Sequence, residues 1–136
     1  MANAAEPEMG ALKSSGRKIL IVEDEPLIAW ALADMARTLG YEVYGPVASE
    51  SAAVEEAGRL VPDAILMDFR LAGGGSGLAA ARAIRRSHDM PIVFCTAYAE
   101  EQGLRSDMLA LPHAILIAKP VFRATLERAL VAAFAG

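Results

Sequence analysis

Cysteine occurs once in the 136 residues, at Cys95, so no disulfide can form within the chain and the fold must rest on its packed core. Lying in the apolar run "PIVFC", that thiol reads as a small buried hydrophobe, and such sparing use suits a reducing, cytoplasmic setting. Positive charge is in deficit. Thirteen Lys and Arg against 17 Asp and Glu give a net charge of −4, which argues against a nucleic-acid partner, since such binding needs a basic surface to displace phosphate counterions. No run approaches the roughly 18 consecutive apolar residues of a membrane span. The opening "MANAAEPEMGALKSSG" also lacks the basic start and apolar stretch of a secretory signal, so residues 1–16 are expected to be a flexible tail. No repeat, heptad or low-complexity tract is present. His88 and His113 have no partners at metal-ligand spacing and are expected on the surface or in loops.

Apolar residues, by contrast, make up 54% of the chain, enough to bury one core at a length typical of a single domain. They come in alternating short and periodic runs. "KILIV" is a β-branched stretch suited to a strand buried on both faces. Pro26 then stands at a first helical position, and Leu27, Ile28, Ala31, Leu32, Met35 and Leu39 recur at helical spacing up to Gly40. "YEVYGPV" is strand-like, and "SESAAVEEAGRL" is a helix capped by Ser49 or Ser51. "DAILMD" is a second wholly apolar strand ending on Asp68. After it come the glycine-rich "LAGGGSG", read as a flexible turn, and a helix from about Leu78 to Arg86. "PIVFC" with Thr96 just after it, a helical stretch from about Glu100 to Ala110, "AILIA", and the amphipathic "FRATLERALVAAF" complete five strand-helix units. Repeated βα units imply right-handed crossovers, a parallel sheet and helices on both faces, which is a doubly wound α/β fold. These units account for residues 17–136, so a single domain with no output domain is expected.

In an open parallel sheet, ligands bind beyond the carboxyl ends of the strands. Strand one ends on Glu23 and Asp24, strand three on Asp68, strand four on Thr96, and strand five is followed by Lys119. Three carboxylates gathered at one edge repel one another, and a metal or a lysine usually neutralises them. All-oxygen donors with room for further ligands favour a hard cation, Mg²⁺ before a caged Ca²⁺. A carboxylate nucleophile, a hydroxyl, a lysine and Mg²⁺ make a phosphoryl-transfer site. Taken singly, each residue has a plainer reading. Glu23, Asp24 and Glu25 could be acids favoured at a helix N-terminus, Thr96 a β-branched strand residue and Lys119 a solvated side chain. Asp68 resists this, because an unpaired carboxylate after "AILM" would be costly. Gly73, Gly74 and Gly75 lack the spacing of a phosphate-binding loop.

The set "ILIVEDEP", "DAILMDFRLAGGGSG", "PIVFCTAY" and "AKP", over roughly residues 17–134, resembles the receiver domains of bacterial response regulators. The resemblance implies a flavodoxin-like sheet of strand order 2-1-3-4-5, with Asp68 as phosphoacceptor and Glu23 and Asp24 as an acidic pair. It further implies a Mg²⁺ or Mn²⁺ ion held by Glu23, Asp24, Asp68 and the backbone carbonyl of Arg70. Thr96 would bond a phosphoryl oxygen, and Lys119 would pair with Asp68 and then with the phosphoryl group. The peptide after that lysine is commonly cis in the family, which suits Lys119–Pro120. Leu116 stands where receivers commonly carry an aromatic switch residue. The stretch Phe94-Cys95-Thr96-Ala97-Tyr98 resembles the alphaproteobacterial variant with a Phe-x-Thr-Gly-like motif, with Ala97 replacing the glycine.

The implied function is a stand-alone, cytoplasmic phosphoacceptor in two-component signalling. It would be charged by a histidine kinase or histidine phosphotransferase and act on a further protein, as a monomer or weak dimer without nucleic acid or membrane. Helix one, including Trp30, and the loop after Lys119 are where the family meets its phosphodonor; partial burial is the plainer role for Trp30. Two alternatives stand beside it. A haloacid-dehalogenase-type phosphohydrolase needs a second acid two positions after its nucleophile, and that position is Arg70. A pseudo-receiver, acting by protein contact alone, has no need of the full set of acceptor, acidic pair, threonine and lysine.

Overall fold

The computed structural model describes residues 16–135, apart from the side chains of residues 98–102. The expected tail therefore lies outside the described residues except for Gly16, and so does any role for the Tyr98 side chain. Five strands and five helices alternate: β1 (Lys18–Val22), α1 (Pro26–Thr38), β2 (Glu42–Val47), α2 (Glu50–Leu60), β3 (Ala64–Asp68), α3 (Gly77–Arg85), β4 (Ile92–Thr96), α4 (Tyr98–Leu109), β5 (Ala114–Ala118) and α5 (Arg123–Ala135). All strand pairs are parallel and the sheet order is β2-β1-β3-β4-β5. The five units and the strand order expected from the sequence are therefore present. Differences sit at element ends. Thr96 closes β4 instead of following it, α4 begins at Tyr98 instead of near Glu100, and Phe122 stays outside α5.

Alternate residues of a strand point to opposite faces, and the sheet uses this to build two cores. Leu20, Val22, Ile65, Met67, Ile92 and Phe94 meet Ala53 and Ala57 of α2, Leu78 and Ile84 of α3 and Met108 of α4. Ile19, Ile21, Leu66, Val93, Cys95 and Ile117 meet Leu32 and Ala33 of α1 and Leu126, Ala129 and Leu130 of α5. Leu116 is half-buried against the first core. Both faces being covered, the central strands carry no solvent face, and this explains their unbroken apolar runs.

Local signals set the helix starts. Pro26 opens α1, while Ser49 caps α2 and Ser76 caps α3 by accepting from backbone N–H groups of the first turn. The pairing of β1 with β2 slips between Leu20 and Val22, where β2 carries an extra residue. Beyond the slip, the Val47 carbonyl accepts from the Glu23 N–H at 2.9 Å, which fixes the backbone as it leaves β1. Both Gly45–Pro46 and Lys119–Pro120 are cis peptides; only the second was expected.

Candidate functional site

The carboxyl ends of β1, β3, β4 and β5 lie abreast because the strands pair in register: Val22 opposite Met67, Asp68 opposite Cys95 and Thr96 opposite Ala118. Glu23 and Asp68 are buried at this edge, at 2% and 8% exposure, and Thr96 is fully buried. The Lys119 N–H donates to the Thr96 carbonyl at 2.8 Å, tying the chain after β5 to the end of β4. The Lys119 ammonium then reaches across the sheet, donating to Asp68 Oδ1 at 2.8 Å and to Glu23 Oε1 at 3.2 Å. Asp68 Oδ1 also accepts from the Phe69 N–H at 2.9 Å. Burial alone would lower the Lys119 pKa, but its hydrogen bond and charge contact with Asp68, with the charge of Glu23, outweigh burial and raise it.

One ammonium faces three carboxylates. Glu23, Asp24 and Asp68 offer oxygen atoms that all lie within 4.8 Å of one another, with Asp24 exposed to solvent. Burial, and after it the neighbouring Asp68 carboxylate, pushes Glu23 up to about 7. Surplus negative charge in an all-oxygen, half-open cluster fits a hard divalent cation. Thr96 Oγ1 is a buried hydroxyl with no hydrogen-bond partner, an uncommon state in a folded protein.

The acidic triplet divides its work. Glu25 is the helix cap of the plainer reading, its carboxylate accepting from the Leu27 N–H at 2.8 Å. Its own N–H donates to Glu23 Oε2 at 3.2 Å, so the cap also orients Glu23. Glu23 and Asp24 belong to the cluster. Arg70 stands two residues beyond Asp68 and forms an isolated antiparallel bridge with Ser76. His88 is half-buried after α3 and His113 is exposed; neither stands in the acidic cluster. Trp30 is 67% exposed, so the partial-burial role does not hold it.

Sequence reasoning passed over Gly77. The start of α3 runs so close to β3 that a Cβ on Gly77 would lie 1.9 Å from the Asp68 carbonyl oxygen. Only glycine permits that approach, and nothing in "GGGSG" sets its last glycine, Gly77, apart from the others. Gly73 and Gly74 adopt left-handed φ values of 71° and 79°, in a turn closed by backbone hydrogen bonds from Leu71 to Gly75 and from Gly75 to Ala72. The turn expected from these glycines is thus present, and it is closed by hydrogen bonds.

The family described as the response regulator receiver domain matches residues 19–131. The chain belongs to the response regulator receiver family. Among its relatives, the phyllosphere-induced regulator PhyR of Methylorubrum extorquens is 41% identical over 106 residues, 76% of this chain and 38% of that protein. The transcriptional regulatory protein PdtaR of Mycobacterium tuberculosis is 39% identical over 84 residues, 62% of this chain and 40% of that protein. The receiver matched here thus spans about two fifths of the length of these curated relatives. Among solved structures, the receiver domain of sensor histidine kinase PA1611 from Pseudomonas aeruginosa PAO1 has a magnesium ion coordinated in its active site cleft. It is 38% identical with a TM-score of 0.78, covering 90% of this chain and 100% of that one. The solution structure of the Erythrobacter litoralis PhyR receiver domain is 34% identical with a TM-score of 0.78, covering 91% and 93%. Receivers are signalling domains of two-component systems, and this receiver shares their sheet order. Among the described residues, no helix is long and apolar enough to cross a membrane.

Proposed function

We propose that this receiver accepts a phosphoryl group on Asp68 from a histidine kinase or histidine phosphotransferase and signals through contact with another protein or through a phosphorelay. The observation that carries the reading is the Lys119 ammonium shared between Asp68 and Glu23 beside the unpartnered Thr96 hydroxyl. An Asp68 carboxylate oxygen forms the new O–P bond as the donor's N–P bond breaks, and the leaving imidazole keeps the electron pair. Lys119 then moves its charge from the carboxylate to the phosphoryl oxygens, and Thr96 Oγ1 donates to one of them. Glu23, Asp24, Asp68 and the Arg70 carbonyl are the residues suited to hold Mg²⁺ or Mn²⁺. When bound, that ion would offset the charge gathering on the transferred group.

An apolar groove of about 410 Å³ lies beside the site, lined by Leu27, Ala31 and Met35 of α1 and by Pro120 and Val121. Leu27, Trp30 and Phe122 are exposed nearby, and this surface is suited to the helices of the phosphodonor. The remaining expectations belong to the same reading: one receiver domain over residues 17–136, a cytoplasmic protein, monomeric or weakly dimeric.

The test is phosphorylation by acetyl phosphate with Mg²⁺, followed by NMR amide spectra with beryllofluoride, for the wild type and Asp68→Asn. Mg²⁺-dependent label and saturable shifts near Asp68, Thr96 and Lys119, both lost in the variant, are expected. Label persisting in Asp68→Asn would remove Asp68 as acceptor. A wild type inert to Mg²⁺ and to both reagents would favour the alternative, a pseudo-receiver that binds partners without phosphorylation.

A further inference from the structure

The loop after Asp68 is closed on itself and then fastened to a different helix. The Leu71 N–H donates to the Gly75 carbonyl at 3.0 Å and the Gly77 N–H to the Phe69 carbonyl at 2.6 Å. These two bonds flank Arg70 and Ser76, which makes them an antiparallel pair that exchanges no hydrogen bonds between its own members. In such a pair each residue turns its N–H and carbonyl away from the other. The Ser76 N–H meets Oε1 of Glu50 at 3.1 Å, across 26 residues of chain. The Arg70 carbonyl is turned toward the opposite side of this small ribbon.

Glu50 is the first residue of α2, and an acid there already gains from the helix dipole when it faces water. Instead it is half-buried against the loop. A Cβ on Gly75 would come 3.1 Å from the Glu50 Cβ, so the ribbon lies close against it and a larger residue there would crowd the contact. A second tie runs beside the first, from the Ala72 N–H to the Ala48 carbonyl at 2.8 Å. Ser76 is in turn the cap of α3, its Oγ accepting from the Leu78 and Ala79 N–H groups. One residue later, Gly77 abuts the Asp68 carbonyl.

We propose that Glu50 is a positioning residue for the Asp68 site, holding in place the ribbon that carries the Arg70 carbonyl to the metal and α3 to the back of Asp68. The proposal rests on the phosphoacceptor reading above. Glu50 lies outside the acidic cluster and acts through the ribbon, by its bond to the Ser76 N–H. Groups that orient metal ligands from outside typically change metal affinity roughly tenfold or more when removed.

The experiment is calorimetric Mg²⁺ titration of the full chain as wild type, Glu50→Ala, Glu50→Asp, Glu50→Gln and Glu55→Ala, each with its thermal midpoint. Glu50→Asp keeps the charge but draws the carboxylate back by one methylene. Glu50→Gln loses the charge but keeps an acceptor oxygen, and Glu55→Ala removes an equal charge from the exposed side of α2. The expected result is a Kd for Mg²⁺ raised roughly tenfold in Glu50→Ala and Glu50→Asp, with Glu50→Gln and Glu55→Ala near the wild type. Should Glu50→Ala fail to fold, Glu50→Asp decides. Wild-type affinity in Glu50→Asp would overturn the positioning role and leave the Asp68 reading standing. Equal weakening in Glu55→Ala would also overturn it, by making the effect one of bulk charge. A wild type that takes up no Mg²⁺ would end the phosphoacceptor reading, and this inference with it.

Discussion

β3 is buried along its whole length, yet its first four residues and its last obey opposite rules. Ala64, Ile65, Leu66 and Met67 sit among other apolar side chains on both faces of the sheet, where each adds to stability by leaving water. Asp68 takes its place in the same row, buried but with a small part of its side chain open to water, beside a second buried carboxylate and one ammonium. Burying charge costs free energy that partial pairing does not recover. The interior of the sheet is thus where stability is made, and its carboxyl edge is where part of it is given up to keep charged groups together. A change in the interior should destabilise, while a change at the edge should alter chemistry with little loss of stability or a gain.

The largest expected effect is in the interior. Phe94 is fully buried in the first core, two residues before Thr96 on the same strand. Phe94→Ala should lower the free energy of unfolding by about 3–5 kcal/mol, as for other large-to-small core changes, measured by urea denaturation. A loss below about 1 kcal/mol would mean that the core around β4 is loose enough to collapse into the gap, and the contrast would fail from the interior side.

Next in size is a pH dependence that belongs to the edge alone. Glu23 ionises near 4.5 when exposed and near 7 in the fold. Between these values the unfolded chain has lost the proton and the native chain still holds it, so metal-free stability falls as pH rises from about 4.5 to about 7. The matching effect of Lys119 is absent from this window, since its pKa moves upward from an already high value. The thermal midpoint of wild type minus that of Glu23→Gln should therefore become more negative between pH 5 and 7.5. Saturating Mg²⁺ should raise the wild-type midpoint more at pH 7.5 than at pH 5. A difference flat in pH would show that the fold does not strain Glu23.

The same contrast explains which features could be read in the sequence. Apolar runs such as "ILIV" and "AILM" announce the interior because burial on both faces leaves no polar position within them. The residues at the strand ends were legible because a charge straight after such a run breaks the pattern, and topology then brings Glu23, Asp24, Asp68, Thr96 and Lys119 to one edge. Glu50 and Gly77 were not legible. Each matters through a contact with distant backbone, Ser76 for one and Asp68 for the other, and no local pattern records a tertiary approach. Pro46 belongs with the legible features: "YEVYGPV" reads as a strand despite it, and β2 is an edge strand whose register slips where a proline is tolerated. Glu25 shows the reverse failure, since its cap role is visible locally while its orienting bond to Glu23 is not.

The smallest expected effect is the most discriminating. Asp68→Asn removes one of two buried negative charges but keeps a carbonyl oxygen able to accept from both Lys119 and the Phe69 N–H, the bonds Asp68 Oδ1 now makes. Lys119 keeps Glu23 as a charged partner at 3.2 Å, so no ammonium is left buried and unpaired. Above pH 7, where Glu23 is ionised in the wild type, relief of repulsion between the two carboxylates should outweigh the weakened ion pair. The thermal midpoint of the metal-free protein should rise by about 2–4 °C at pH 8, and the gain should shrink toward pH 5, where Glu23 is already neutral. A fall at pH 8 would show that the Lys119–Asp68 pair outweighs the repulsion. The edge would then be a stabilising ion-pair network, and holding these carboxylates together would cost the fold nothing.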